Sequence, residues 1–210
     1  KYTPEAQARL VLAVMNARGI AHAYFVGHSY GAHIVEEIVR IAPERVRGII
    51  LVSGGILPEN AGTNNTNPIG LILFYPVVRD IIGYNFIWRH LFVLAFGSGD
   101  LPTTETSEIY RKALRVEGVH HAYDGLTKHA HLLSYTKESL SASHTFPSCI
   151  VWGTNDEIID HKLAKSFAAR VGARLTLIPH AGHMIPEEVP HILVEQILNC
   201  INDAERQRSP

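Results

Sequence analysis

Apolar and polar positions alternate along the chain in a pattern that changes character twice. Leu10, Val11, Val14 and Met15 recur at helical spacing behind Thr3 and Pro4, and Gly19 follows them. A hydroxyl at the N-cap and a proline at the first helical position are helix-start chemistry, so the spacing predicts an amphipathic helix ended by Gly19. Ala23-Tyr24-Phe25-Val26 is a short continuous apolar run, the signature of a strand buried on both faces. Ile34, Val35, Ile38, Val39 and Ile41 restore the helical period until Pro43, and Val46 to Val52 reads as a second strand. Strand, helix, strand in this order predicts a crossover in a parallel sheet.

Between about Ile56 and Phe146 the alternation stops. A polar loop from Asn60 to Asn67 precedes apolar helical segments (Ile69–Val78 and Phe86–Phe96) and a more polar one from Thr104 to Val116. We read residues 57–146 as a helical cap or lid inserted into a core formed by residues 1–56 and 147–210. The alternation returns with a strand at Cys149-Ile150-Val151-Trp152, a helix from about Asp160 to Val171 and a strand from Arg174 to Ile178. A last helix is predicted from about Pro186 to Ile201, followed by a polar tail, Asp203 to Pro210, that should fray.

Composition narrows the picture modestly. The 210 residues suffice for one sizeable core or a core plus a lid. With 46% apolar and 19% charged residues the chain is of ordinary globular type. A net charge of −1 gives no electrostatic footprint for a nucleic-acid partner. The longest clean apolar run, Ile69 to Val78, is too short to span a bilayer. Two cysteines, Cys149 and Cys200, make no disulfide framework, and Cys149 inside its apolar run reads as a small buried hydrophobe. No signal peptide opens the sequence, which favours the cytoplasm, although the chain starts at Lys1 as if in the middle of something.

The chemistry lies at element ends. In Gly27-His28-Ser29-Tyr30-Gly31 a buried strand runs into a serine and a helix leaves directly after it. A nucleophile on so sharp a turn needs small residues two positions either side, which the glycines supply. The helix directs its positive end at developing negative charge, and the Tyr30 amide is placed to donate to an oxyanion. A serine nucleophile needs a base, and the base an orienting acid. His183, in Pro179-His180-Ala181-Gly182-His183-Met184, directly follows a glycine and leads into Pro186-Glu187-Glu188; His180 competes with it. Asp156 follows a buried strand through the turn at Gly153; Glu157 and Asp160 read as a loop charge and a helix N-cap. The segment after the second strand, Ser53-Gly54-Gly55, holds no acid. His28 is expected to point away from the reacting atom or to line the pocket.

The order Ser29, Asp156, His183, with Phe25-Val26-Gly27-His28-Ser29-Tyr30-Gly31-Ala32, Val151-Trp152-Gly153 and Ala181-Gly182-His183, resembles the α/β-hydrolase fold superfamily (fold-1 type) with a helical cap. The resemblance implies a mostly parallel sheet flanked by helices, with the cap inserted after the family's sixth strand. It implies a serine hydrolase acting through Ser29, His183 and Asp156 on a small-molecule apolar ester or related carbonyl compound, with no cofactor. Serine in place of aspartate argues against the family's dehalogenases and epoxide hydrolases. The same triad serves C–C bond hydrolases, perhydrolases and acyltransferases. The family's N-terminal strands, and the loop giving its second oxyanion amide, have no counterpart before Ser29. On this reading the chain is a partial core, with Ala23–Val26 an exposed apolar edge and half an oxyanion hole, and a catalytically silent interaction protein is the competing class.

Three features are set aside. His120, His121, His129 and His131 lack a completing Cys or acid, so no metal site is expected. The cap aromatics Phe74, Tyr75, Tyr84, Phe86, Trp88, Phe92 and Phe96 fit packing and a substrate pocket equally well. Asn64-Asn65-Thr66 is a glycosylation sequon that matters only in a secreted protein.

Overall fold

The computed structural model describes residues 2–55, 93–97, 103–113, 116–119, 121, 122, 125 and 145–208. The apolar segments Ile69–Val78 and most of Phe86–Phe96, the aromatics 74 to 92, the sequon, and His120, His129 and His131 lie outside these residues. So does most of the expected cap.

Helix α1 (Pro4–Ala17) starts as its sequence dictates: the Thr3 hydroxyl accepts the Ala6 amide at 3.2 Å, and Pro4 occupies the first turn. Gly19 follows the helix at φ +65°, a left-handed conformation that glycine adopts without strain. Its buried face is not the expected one. Leu10 and Val14 are 64% and 61% exposed, whereas Pro4, Ala8 and Met15 are buried. Two apolar stripes overlap on this helix. The one carrying Ala8 and Met15, with Leu12 beside it, joins the core with α2 (Tyr30–Ile41), and the period alone does not choose between them.

Among the described residues four strands, β1 (Ala23–His28), β2 (Val46–Val52), β3 (Ser148–Gly153) and β4 (Arg174–Ile178), form a parallel sheet in the order β1-β2-β3-β4. Alternate side chains of the central strands sort onto two faces. Ile49, Leu51, Ile150 and Trp152 pack with α2 and with α4 (Lys162–Val171) through Val35, Ile38, Ala164 and Phe167. Ile50, Val52, Cys149 and Val151 pack instead with Leu193 and Cys200 of α6 (Pro190–Arg208). Between β2 and β3 the polar helix α3 (Thr104–Ala113) is the one regular element of ten residues among the described residues.

β1 departs from the expected double burial. Phe25 faces the α2 side and is buried, but Val26, paired with Ile50, is 47% exposed. β1 is an edge strand of the described sheet, one strand beyond the cover that α6 gives to β2 and β3.

The C-terminal helix also differs from expectation. Glu188 ends a short helix, α5 (Ile185–Glu188), and Val189 takes a non-helical backbone (φ −139°, ψ 55°) because Pro190 disfavours helix in the residue before it. The tail expected to fray from Asp203 stays helical to Arg208. Ala204 is fully buried, Asp203 pairs with Arg174 of β4, and Glu205 accepts the Tyr24 hydroxyl of β1 at 2.5 Å. These contacts tie the polar tail to the N-terminal ends of the strands.

The cysteines correct the sequence reading more sharply. Cys149 and Cys200 form a disulfide, with Cα atoms 6.3 Å apart. Cys149 is indeed buried in its apolar run, but α6 sets Cys200 directly against it, a proximity 51 residues of separation conceal. Closing a loop of 51 residues stabilises a fold by about 4 kcal/mol on chain-entropy grounds. Reduction, or the double substitution Cys149→Ala and Cys200→Ala, is expected to lower the melting temperature by roughly 5–15 °C. Thermal melts with and without reductant check this, and equal melting temperatures would show that the bond contributes nothing.

Candidate active site

Ser29 stands where β1 turns into α2, with φ +52° and ψ −119°. A non-glycine residue at positive φ is strained, and β-sheet pairing holds it there: the Ser29 amide donates to the Val52 carbonyl at 2.9 Å. Although Ser29 occupies the N-cap position of α2, its side chain makes no capping bond. Its hydroxyl is directed to a different partner.

The glycines around it are not equivalent. A Cβ on Gly27 would lie 2.6 Å from the Gly31 carbonyl and 2.8 Å from Ala32, so strand and helix approach too closely for any side chain. A Cβ on Gly31 would meet nothing within 4 Å among the described residues outside its chain neighbours and its own helix backbone, so no second segment demands a glycine there. The second close contact comes from Gly54, which the motif does not signal. A Cβ there would overlap the Ser29 carbonyl oxygen. The chain leaving β2 thus packs directly under the turn, helped by buried Ser53 at φ +45°.

Asp156 and His183 meet Ser29 in one line of hydrogen bonds. The Ser29 hydroxyl lies 2.9 Å from His183 Nε2, and His183 Nδ1 lies 2.9 Å from Asp156 Oδ2. Asp156 is buried, and its other oxygen, Oδ1, accepts the Ile158 and Ile159 amides, each at 2.9 Å. Those two bonds turn Oδ2 toward the imidazole. An ionised carboxylate only accepts, so Nδ1 carries the proton and Nε2 is left to accept from the serine hydroxyl. His180 is exposed and at φ +63°, its amide bound to Thr154 Oγ1 at 2.9 Å. Glu157 is exposed, and Asp160 accepts the Lys162 amide at the start of α4. Neither joins the cluster.

Tyr30 is the first residue of α2, where a backbone N–H has no acceptor within the helix. Its side chain, overlooked in the sequence, anchors α1. The phenol donates to the Tyr2 carbonyl at 2.9 Å and accepts Gln7 Nε2 at 3.1 Å, and burial pushes the phenol above its ordinary pKa.

The loop carrying His183 leaves β4 and crosses the ends of β3 and β2 to reach Ser29. It is held mainly through its backbone. The Asn155 amide donates to the Ala181 carbonyl at 2.9 Å, and the His183 and Met184 amides donate to the Ala95 carbonyl at 2.7 and 3.1 Å. Glu188 accepts the Gly182 amide at 3.0 Å and the Gly97 amide at 2.9 Å. Cβ atoms at Gly153, Gly182 or Gly97 would strike backbone in each case. Glu188, Ala95 and Gly97 were not apparent in the sequence; the Gly182-His183 pair hinted only at its own tight turn.

His28 Nε2 lies 2.8 Å from the His183 carbonyl oxygen, and the two rings are 5.2 Å apart. Of the histidines weighed for metal binding, His121 is described and packs edge-on against Tyr2. Among the described residues no group of three or more His, Cys, Asp or Glu side chains is arranged to hold a metal ion. No described helix is long and apolar enough to cross a membrane.

Comparison with known proteins agrees with this architecture. The α/β hydrolase fold family model matches residues 1–190. A dihydrolipoyllysine-residue acetyltransferase component of the acetoin cleaving system of Pseudomonas putida is 27% identical over 191 residues. That match covers 90% of this chain and 48% of the relative, so the chain spans about half its length. The uncharacterized hydrolase YugF of Bacillus subtilis (strain 168) is 23% identical over 95% of this chain and 72% of its own. Among solved structures, a meta-cleavage product hydrolase from Pseudomonas fluorescens IP01 superposes with a TM-score of 0.81 at 16% identity, covering 97% of this chain and 73% of that one. An α/β hydrolase fold protein from Burkholderia ambifaria gives 0.78 at 19%, covering 95% and 73%. With the family model matched over most of its length, the chain belongs to the α/β hydrolase fold family.

Proposed function

We propose that this protein is a serine hydrolase that cleaves carboxylic esters of apolar character through an acyl-enzyme. One observation carries the reading: the unbroken Ser29–His183–Asp156 line, with both hydrogen bonds at 2.9 Å. His183 Nε2 takes the Ser29 proton as Oγ bonds to the ester carbonyl carbon, and the π electrons move onto the carbonyl oxygen. The Tyr30 amide at the start of α2 donates to that oxyanion. Asp156, through Oδ2, holds the imidazole in the productive tautomer and stabilises its cation. Collapse of the tetrahedral intermediate breaks the bond to the alcohol oxygen, which leaves with the proton from Nε2. Water then attacks the acyl carbon with His183 again as base, and the acid departs as Ser29 regains its proton.

Names among the similar proteins bear on the choice of substrate. Several solved relatives are named as hydrolases of different bonds, including a meta-cleavage product hydrolase and an enzyme degrading N-acyl homoserine lactones. At 16% and 22% identity they share the fold, and the shared fold does not select among their substrates. Against the reading of a silent interaction protein stand the side-chain bonds themselves. A scaffold has no need of a strained serine that forgoes capping to bond a buried histidine–aspartate pair.

A fluorophosphonate probe is expected to label Ser29, and Ser29→Ala to abolish labelling and lower ester turnover by on the order of 10⁴-fold or more. A folded protein that takes up no label, or keeps its label in Ser29→Ala, would falsify the nucleophile assignment.

Asp156→Asn keeps the shape but lets Nδ1 lose its obligate acceptor. Turnover should fall on the order of 10⁴-fold while the melting temperature changes little, as read from steady-state kinetics beside thermal melts. Wild-type turnover in this variant would remove Asp156 from the mechanism.

Ester and C–C cleavage are separated by rate. p-Nitrophenyl esters should be turned over faster than a coloured vinylogous diketone, and the reverse ranking would assign the triad to C–C bond hydrolysis.

A further inference from the structure

The histidine loop begins at β4, on the far side of the described sheet from β1, yet must set Nε2 within 2.9 Å of the Ser29 hydroxyl. Most of its restraints act before or at the His183 amide. Asn155 holds Ala181, Glu188 holds Gly182, and Ala95 accepts the His183 amide at 2.7 Å and, more weakly, the Met184 amide at 3.1 Å. On the carbonyl side of His183 stands His28, the last residue of β1, which is paired with Val52 and next to Ser29 in the chain.

We propose that His28 is a positioning residue for His183: its Nε2–H, donated to the His183 carbonyl oxygen, fixes the far end of the histidine loop to the strand that carries Ser29. This rests on the assignment of Ser29 and His183 given above. A carbonyl oxygen only accepts, so Nε2 of His28 must bear the hydrogen at a 2.8 Å separation. Ser29 and its base are then referenced to the same residue pair at the end of one strand. A shift of β4 relative to β1 would be resisted where it matters, between Oγ and Nε2.

The environment of His28 suits this neutral donor. Its burial lowers the imidazole below its ordinary pKa, outweighing the bond to the His183 carbonyl and the nearby Asp156 and Glu187 carboxylates. A cationic His28 would also sit 5.2 Å, ring to ring, from the imidazolium that His183 becomes during acyl transfer. A neutral ring donates the bond without opposing that charge.

His28→Phe keeps a ring of similar size and removes the donor; His28→Gln returns an N–H at comparable reach. The Phe variant should lose kcat roughly 10- to 100-fold with KM within about twofold, and the Gln variant should recover most of that loss. Wild-type kcat in the Phe variant, or a Gln variant no better than Phe, overturns the proposal. A measurement on the unaltered protein stands even if the Phe variant does not fold. The ¹⁵N resonances of His28 should show a protonated Nε2 and a bare Nδ1, and the opposite tautomer overturns the assignment. Failure of the underlying mechanism reads differently, because Ser29→Ala would then keep turnover whatever the His28 variants do.

Discussion

Strand β1, helix α2 and the segment leaving β2 converge on Ser29 so closely that backbone packs on backbone. Gly27 touches the Gly31 carbonyl and Ala32, while Gly54 touches the Ser29 carbonyl. A residue at φ +52° between them carries strain of about 1–3 kcal/mol. That strain persists because the ladder bond from the Ser29 amide to Val52 and the burial of Ala32, Val35 and Ile38 over-determine the turn. The rest of the site is arranged around a hydroxyl that this packing lifts clear of its own helix.

His183 reaches that hydroxyl by an analogous device. The loop from β4 rests on Gly153, and its own Gly182 lies against Gly97 and Ala95 of the insertion. Small residues let polar backbone groups pair at short range, and each amide from Gly182 to Met184 finds an acceptor in Glu188 or Ala95. Placement through main-chain bonds is stiffer than placement through long side chains, since few rotamers must be frozen. The bonds at its two ring nitrogens then orient the imidazole.

How much of this was legible in the sequence depended on range. The four strands and the Thr3–Pro4 helix start are local, and their residues announce them. Ser29, His183 and Asp156 were legible because each sits at an element end marked by glycine, so local pattern and chain order coincide. The family membership followed from the same motifs. What escaped detection was decided by packing between distant segments. Cys149 and Cys200 meet only when α6 lies on β3. Leu10 and Val14 have the right period for burial but the wrong stripe for α2. The polar tail stays helical because Asp203 and Glu205 find Arg174 and Tyr24 in tertiary contact. Glu188 falls at the start of the predicted last helix, and its role depends on the distant backbone of Gly97.

Both faces of the sheet bear on the site, since β3, which leads to Asp156, packs into both clusters. The α2 face, with Phe25, Ile49 and Leu51, fixes the turn at Ser29. The α6 face, with Val151, Ile178, Ala181 and the disulfide, fixes the strands that deliver Asp156 and His183. Ile49 and Ile50, adjacent on β2 and both essentially inaccessible to solvent, belong to opposite clusters. A change in either core thus bears on the separation of the Ser29 hydroxyl and the His183 ring. Hydrogen bonds of 2.9 Å weaken within a few tenths of an ångström. A site assembled from two cores has to be locked together at its seam, and the seam runs between Ser29 and His183.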